Sequence, residues 1–439
     1  MQVQEYQQRL RRQIDQAPMA PLQILVVASC FVLNMIDGMD VLVMSFVAPV
    51  LVGEWGLSGR QVGWIFSAGL LGMMVGCLFI APRADGTGRR PLLLVSLLLI
   101  TLGMAGGALV SGFAGLIVAR VVTGLGIGTI LPVLAAIAAE FSNERHRNFC
   151  VSGVQAGWPI GAILTGVFCA WAIPALGWRV MFGCVAAISA LMLPLVAWGM
   201  PESLDFLSNR QPAGAAAQID QLMRRMRKDP PGALPPTGVI IAAPPLAALL
   251  MPELRTSTLR LWLGVFFGFV TLYTLISWVP SFARSAGMPI TLAIHAGTAL
   301  NLGAFAGSAA IGALSVWVPL RKLIPLFMFA AIAVLQVYGN ARLPVPLLFV
   351  VIFLAGLLVQ GGFNGYYPAA ARIYPAHLRA TGIGFAMGAG RTGAVIGPLA
   401  AGYLTDAGVA MSVMFVVFSV PLLISGIAAL LIPALAQRR

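Results

Sequence analysis

Apolar residues along this chain come in long blocks separated by short polar runs. Twelve blocks stand out, near 22–50, 61–82, 91–112, 115–140, 149–172, 178–200, 259–283, 291–318, 323–340, 345–371, 380–404 and 408–434. A hydrocarbon core of about 30 Å takes roughly 20 apolar residues per helix, so each block predicts one membrane-spanning helix. Gly or Pro interrupts several of them, as at Gly126, Pro159, Gly307 and Pro398. Membrane helices tolerate such breaks because neighbouring helices satisfy the freed backbone groups. Small residues four apart (Gly72/Gly76, Gly124/Gly128, Gly153/Gly157/Gly161, Gly393/Gly397) predict close helix–helix approach.

One stretch breaks the rhythm. Residues 201–257 hold nine of the 29 prolines and eleven of the 41 charged residues. They predict a linker between two six-span bundles at 22–200 and 258–434, flanked by an N-terminal segment 1–21 and a tail 435–439. The apolar patch at 238–251 is too proline-broken to span, and is expected to rest on the membrane surface. Direction follows from the basic residues, which favour cytoplasmic loops. Of 27 Lys and Arg, 21 fall in the two termini, the linker and the loops on their side. The opposite loops hold Arg60, Arg179, Arg284 and Arg342. Both termini and the linker are therefore predicted to be cytoplasmic.

Composition agrees with this reading. The 439 residues are 59% hydrophobic and 9% charged, against about 25% charged in soluble domains. That excludes a water-soluble enzyme, a disordered chain and a nucleic-acid-binding module. The loop asymmetry accounts for the net charge of +13 without nucleic acid. Twenty-five Arg against two Lys, with abundant Ala and Gly, points to a GC-rich bacterial genome and hence a bacterial inner membrane. The segment 1–20 is polar and lacks the apolar core of a cleavable signal peptide. Cys30, Cys77, Cys150, Cys169 and Cys184 show no CxxC or Cys/His spacing, so neither a disulfide framework nor a metal site is expected. No cofactor is implied. The chain has no phosphate-binding loop for ATP-driven transport, and neither H-E-x-x-H nor G-x-S-x-G for an intramembrane enzyme.

Ionisable residues deep inside spans are costly and so are functional candidates. Asp37 and Asp40 lie three apart in the first span, on one helix face, where a buried carboxylate suits proton coupling. The alternative is that one of them is a fixed salt-bridge partner. Arg120 in the fourth span and Arg391 in the eleventh offer guanidinium forks that fit a carboxylate substrate. Each could instead pair with Asp37, Asp40 or Glu140 inside the protein. Charges at the inner span ends suggest gates: Asp85, Gly88, Arg89 and Arg90 after the second span, Glu140 and Arg147 around the fourth, Arg372 and Arg379 around the tenth. Trp64, Trp158, Tyr273, Phe305, Tyr366 and Tyr367 could stack on a substrate ring or fill the bundle.

The halves echo each other. Glu140, Arg147 and Gly161 recur as Arg372, Arg379 and Gly393 at a constant offset of 232. Two six-span repeats with a substrate site between them are a transporter architecture. Ala84-Asp85-Gly86-Thr87-Gly88-Arg89-Arg90 resembles the major facilitator signature G-x-L-A-D-R-x-G-R-R, departing from it at Ala81, Arg83 and Gly86. Pro201-Glu202-Ser203-Leu204-Asp205-Phe206-Leu207 resembles the family's P-E-S-x-x-F-L element. A second signature, between spans eight and nine, is reduced to Val318-Pro319-Leu320-Arg321-Lys322.

More narrowly, Asp37-Gly38-Met39-Asp40, Arg120 through Pro132, Arg379-Ala380-Thr381-Gly382 and Gly390-Arg391-Thr392-Gly393 resemble the aromatic acid:proton symporter family, over nearly the whole chain. The resemblance implies an all-α membrane protein of twelve transmembrane helices in two pseudo-symmetric six-helix halves, the major facilitator fold. It implies import of a benzoate-like anion with protons, with Asp37 and Asp40 as coupling residues and Arg120, Glu140, Arg379 and Arg391 at positions important for transport. The expected partners are an aromatic acid anion, protons and the lipid bilayer, and the expected state is a monomer. A carrier of another organic acid or a proton-driven exporter is the competing expectation, the latter from the Gly153-x-x-x-Gly157-Trp158-Pro159 run.

Overall fold

The computed structural model describes residues 2–229, 233–235, 246–341 and 343–433, apart from the side chains of 2–4, 85, 148, 376, 377, 379 and 380. Regular structure among the described residues is entirely helical. The first half comprises α1 (Gln2–Gln16), α2 (Pro21–Trp55), α3 (Gly59–Val75), α4 (Ala84–Thr87), α5 (Arg89–Leu109), α6 (Phe113–Glu140), α7 (Arg147–Leu176) and α8 (Arg179–Pro194). A π-helical turn, Gly76–Ile80, prolongs α3, and another, Leu195–Gly199, prolongs α8. Two short helices, α9 (Leu204–Arg210) and α10 (Ala215–Arg225), lie in the central stretch. The second half comprises α11 (Pro252–Ser285), α12 (Ile290–Leu314), α13 (Leu320–Asn340), α14 (Val345–Asn364), α15 (Tyr366–Ile373), α16 (Ala376–Asp406) and α17 (Met411–Leu430).

Among the described residues, eleven helical stretches are long and apolar enough to cross a membrane. The twelfth is α16. Its 31 residues suffice in length, but Arg379, Arg391, Asp406 and seven glycines dilute its apolar character. It packs along α11 and α3, in the middle of the bundle, where it needs little lipid-facing surface. Large apolar side chains such as Leu109, Phe149, Leu191 and Trp198 are exposed, a surface that suits lipid contact. Helix α11 starts at Pro252, inside the stretch expected to be linker, because proline fits the first helical turn, where its missing N–H leaves nothing unsatisfied. The first part of the 238–251 patch lies outside the described residues; Leu246–Leu250 forms a 3₁₀ turn against α11 and α16.

The repeat is visible in the packing. Helix α2 packs on α7, as α11 packs on α16. Likewise α3 packs on α6 as α12 does on α14, and α5 on α8 as α13 does on α17. Glycines hold the same register in both halves. A Cβ at Gly161 would collide with the carbonyl of Met35, and one at Gly393 with that of Phe266. Gly124 meets the carbonyl of Gly69, and its counterpart Gly356 that of Leu300. Gly72 meets Val121 as Gly303 meets Phe353, and Gly76 meets Leu125 as Gly307 meets Leu357. A Cβ at Gly153, by contrast, would meet no described atom within 4 Å. Backbone-on-backbone contact of this kind needs residues without side chains at the crossing points.

The halves meet where α2 faces α11, α3 faces α16 and α7 faces α12. The end of the bundle carrying α1, α9 and α10 is called here the terminal end. The opposite end, with the α2–α3, α11–α12 and α16–α17 connections, is the far end.

Candidate functional site

Helix α2 carries both acidic residues into the interior, with Asp37 3% and Asp40 1% exposed. Residues three apart on a helix differ by about 60° around its axis, and the two carboxylates address different neighbours. Asp40 turns to α6. Arg120 donates to it through both ends of its fork, Nη1 to Oδ1 and Nη2 to Oδ2, the latter at 3.0 Å. Gly69 on α3 leaves room for the guanidinium, since a Cβ there would stand 2.7 Å from Arg120 Nη2. Of the two readings open for Arg120, the structure realises the internal pair.

Asp37 turns towards the second half. Its Oδ1 is buried and has no hydrogen-bond partner among the described residues, and the positive charge acting on it is Arg391, near the middle of α16. Arg391 is half-buried and makes no hydrogen bond or ion pair with a described residue. Within electrostatic range of it lie Asp37, Tyr273 on α11, Tyr367 on α15 and Cys77 on the π turn. That turn carries an extra residue in its hydrogen-bonded ring. It sets Leu78 against α16, where Gly388 leaves space for it. A run of rings borders Arg391 on the second half: Tyr273 to Phe269 at 5.5 Å between centroids, Phe269 to Phe363 at 4.3 Å, Phe363 to Tyr367 at 6.2 Å. The site thus combines a guanidinium with no hydrogen bond to a described residue, a buried carboxylate and aromatic faces.

Among the other aromatic candidates, Tyr366 is part of the packing: it is fully buried and its hydroxyl donates to the Ser425 carbonyl at 2.6 Å. Trp64 and Phe305 are exposed, as a lipid-facing ring would be. The sequence offered Cys77 only as a cysteine in an apolar run. Its place beside Arg391 depends on the π turn, which leaves no compositional mark.

Of the charges expected to gate, Arg89, Arg90, Glu140 and Arg147 lie at the terminal end of the first half, while Arg372 is exposed on α15. Arg89 pairs with Glu140, whose other oxygen accepts from Ser203 Oγ at 2.7 Å. Glu202 accepts the backbone N–H groups of Arg89 at 2.8 Å and Arg90 at 3.3 Å. Arg90 also donates to the Ala197 carbonyl. Gly88 has φ +96°, and a Cβ there would stand 2.5 Å from Glu202 Oε2, so both conformation and contact require glycine. Arg147 donates to Asp15 of α1 at 2.5 Å. The side chains of Asp85 and Arg379 lie outside the described residues. Glu202 and Asp15 were not among the sequence candidates; for Glu202 the P-E-S element was the available signal.

Among the described residues, several hydrogen bonds join the two halves in the far-end portion of the spans. Ser45 Oγ donates to the carbonyls of Ile276 at 2.8 Å and Ser277 at 3.0 Å, and Ser67 Oγ donates to that of Val395 at 2.7 Å. Asp406 accepts from the backbone of Gly59 and Arg60. At the far end the halves are thus joined by hydrogen bonds between described residues.

Two repeated six-helix halves with a polar site at mid-span between them define a membrane transporter rather than an enzyme. The chain belongs to the Major Facilitator Superfamily, whose family model matches residues 30–339. It is 30% identical to a gallate transporter of Pseudomonas putida, over 95% of this chain and 93% of that protein. It is 31% identical to a 3-(3-hydroxy-phenyl)propionate transporter of Escherichia coli, over 94% and 95%. It is 30% identical to the 4-hydroxybenzoate transporter PcaK of Pseudomonas aeruginosa, over 88% and 86%. Among solved structures, a D-xylose-proton symporter superposes with a TM-score of 0.74 at 15% identity, covering 93% of this chain and 97% of that one. The fold expected from the sequence is thus the fold observed.

Proposed function

We propose that this protein imports an aromatic carboxylate together with protons across a bacterial inner membrane by alternating access. The observation that carries the reading is the buried, unpartnered carboxylate oxygen of Asp37 facing Arg391 across the two halves. In this reading Arg391 holds the substrate carboxylate as a bidentate pair, and the rings from Tyr273 to Tyr367 flank its aromatic body. Asp37 carries the proton, because a charge without a partner at that depth is costly and neutralisation relieves it. Asp40 is the second coupling residue; protonating it would release Arg120. The relatives' substrates, gallate and 4-hydroxybenzoate among them, support the aromatic acid over other organic acids.

The termini and the segment 201–257 are assigned to the cytoplasm, and the protein to a monomer. Gating falls to the Arg89–Glu140–Ser203 cluster with Arg147, to Gly88 and Arg90, which shape the turn, and to Asp85 of α4 and Arg379 in the first turn of α16. The test is uptake of labelled benzoate into cells expressing the chain, with and without a protonophore. Wild type should accumulate it only while the proton gradient stands, and Asp37→Asn should lose accumulation while still reaching the membrane. Accumulation indifferent to the protonophore would remove proton coupling from the reading.

A further inference from the structure

We infer that Asp406 is a gate residue of the transport cycle: its carboxylate clasps the start of α3 and holds the far end shut. The first N–H groups of a helix have no acceptor within it. In α3 the N-cap Ser58 takes one of them, accepting from the Gln61 N–H at 3.2 Å, while Gln61 Oε1 accepts the Ser58 N–H at 2.9 Å. That leaves the Gly59 and Arg60 N–H groups. The other half supplies their acceptors: Asp406 Oδ1 takes Gly59 at 2.5 Å and Oδ2 takes Arg60 at 3.0 Å.

The placement of this carboxylate makes no sense for its own helix. Asp406 is the last residue of α16, where the helix dipole disfavours a negative charge, and it meets the start of α3, where a dipole favours one. The favourable interaction therefore exists only while the two halves touch. Glycines bring the helices close enough. A Cβ at Gly59 would stand 2.9 Å from Asp406 Oδ1 and from the Gly402 carbonyl, and one at Gly63 3.0 Å from the Pro398 carbonyl. The Arg60 guanidinium lies over the Tyr403 ring at 5.9 Å, and Ser67 continues the seam inward through its bond to Val395. Opening the far end must part α3 from α16 and break both clasp bonds. The clasp is solvent-exposed, so water can replace its bonds and the closure stays reversible.

The test does not depend on the substrate. Full-length protein is examined in two ways. In lipid nanodiscs, amide hydrogen exchange reads the Gly59 and Arg60 N–H groups directly. In sealed proteoliposomes with the far end facing outward, an external impermeant maleimide reads a Ser67→Cys reporter in a chain whose five native cysteines are replaced. Asp406→Ala should speed exchange at Gly59 and Arg60 about tenfold, the loss of a charge-assisted bond, and speed labelling of the reporter several-fold. Asp406→Glu should restore slow labelling. If Asp406→Ala folds poorly, Asp406→Asn, which keeps one acceptor, should give intermediate values for both. Faster exchange at Gly59 and Arg60 with unchanged reporter labelling would overturn the proposal and leave Asp406 a helix cap alone. Unchanged exchange would show that the clasp does not form.

Discussion

Arg120 commits both ends of its fork to Asp40, whereas Arg391 makes no hydrogen bond or ion pair with a described residue. The sequence shows two intramembrane guanidinium groups and two carboxylates without saying which meets which. Helical periodicity places Asp37 and Asp40 on one broad face, but a turn of about 60° decides that one meets α6 and the other α16. That choice rests on packing, set by glycines such as Gly69 and Gly38, whose Cβ atoms would strike Arg120 and the Trp158 carbonyl. A prediction follows for Arg391. Lysine would keep the charge but lose the planar fork that matches a carboxylate. Arg391→Lys should therefore weaken equilibrium binding of benzoate by roughly tenfold or more. Binding of benzamide, which offers no carboxylate, should be unaffected. Equal weakening of both ligands would make Arg391 a helix-pairing residue instead.

At the scale of elements, the spans were legible and the pieces that cap them were not. Long apolar blocks predicted where the crossings fall, with α11 starting seven residues earlier than expected, because the membrane leaves the chain few alternatives. Helix α1 lies in a polar segment, yet Tyr6, Leu10 and Ile14 repeat every four residues and are buried. Its polar side is anchored. Arg11 donates to the carbonyls of Glu140 at 2.8 Å and Ser142 at 2.7 Å, and Asp15 accepts from Arg11 at 2.9 Å and Arg147 at 2.5 Å. Burial, with Asp220 close by, pushes the Tyr6 phenol up to about 12. Its contribution to docking is thus intact below the ordinary tyrosine value and fades only as pH rises towards 12. Lys228, just beyond α10, reaches Gln23 Oε1 at 3.1 Å, and burial lowers its pKa. Asp15→Asn should leave Arg11 and Arg147 without their shared carboxylate and weaken docking by roughly 1 kcal/mol, these groups being partly exposed. Limited trypsin digestion should then cut after Arg9 and Arg12 several-fold faster than in wild type. Unchanged cleavage would mean that the apolar face alone holds α1.

For the whole molecule, the offset of 232 that links Glu140 to Arg372 in the sequence reappears as a shared pattern of helix pairs and glycine crossings. The repeat was therefore legible from a few residues. The far-end seam was not, because there backbone carbonyls meet Ser45 and Ser67 across the halves, and a sequence does not display its carbonyls. The two ends also differ in charge: basic residues crowd the loops beside α1, α9 and α10, while the far-end loops hold Arg60, Arg179, Arg284 and Arg342. Positive charge resists translocation, so the terminal end should face the cytoplasm. Two exposed positions test this, Gln218 on α10 and Ala286 after α11. In a chain with its five cysteines replaced, an impermeant maleimide applied to intact spheroplasts should label Ala286→Cys and spare Gln218→Cys. Permeabilisation should make both reactive, which controls for burial. Labelling of Gln218→Cys in intact spheroplasts would invert the orientation, and with it the side from which the Asp406 seam must open to admit substrate.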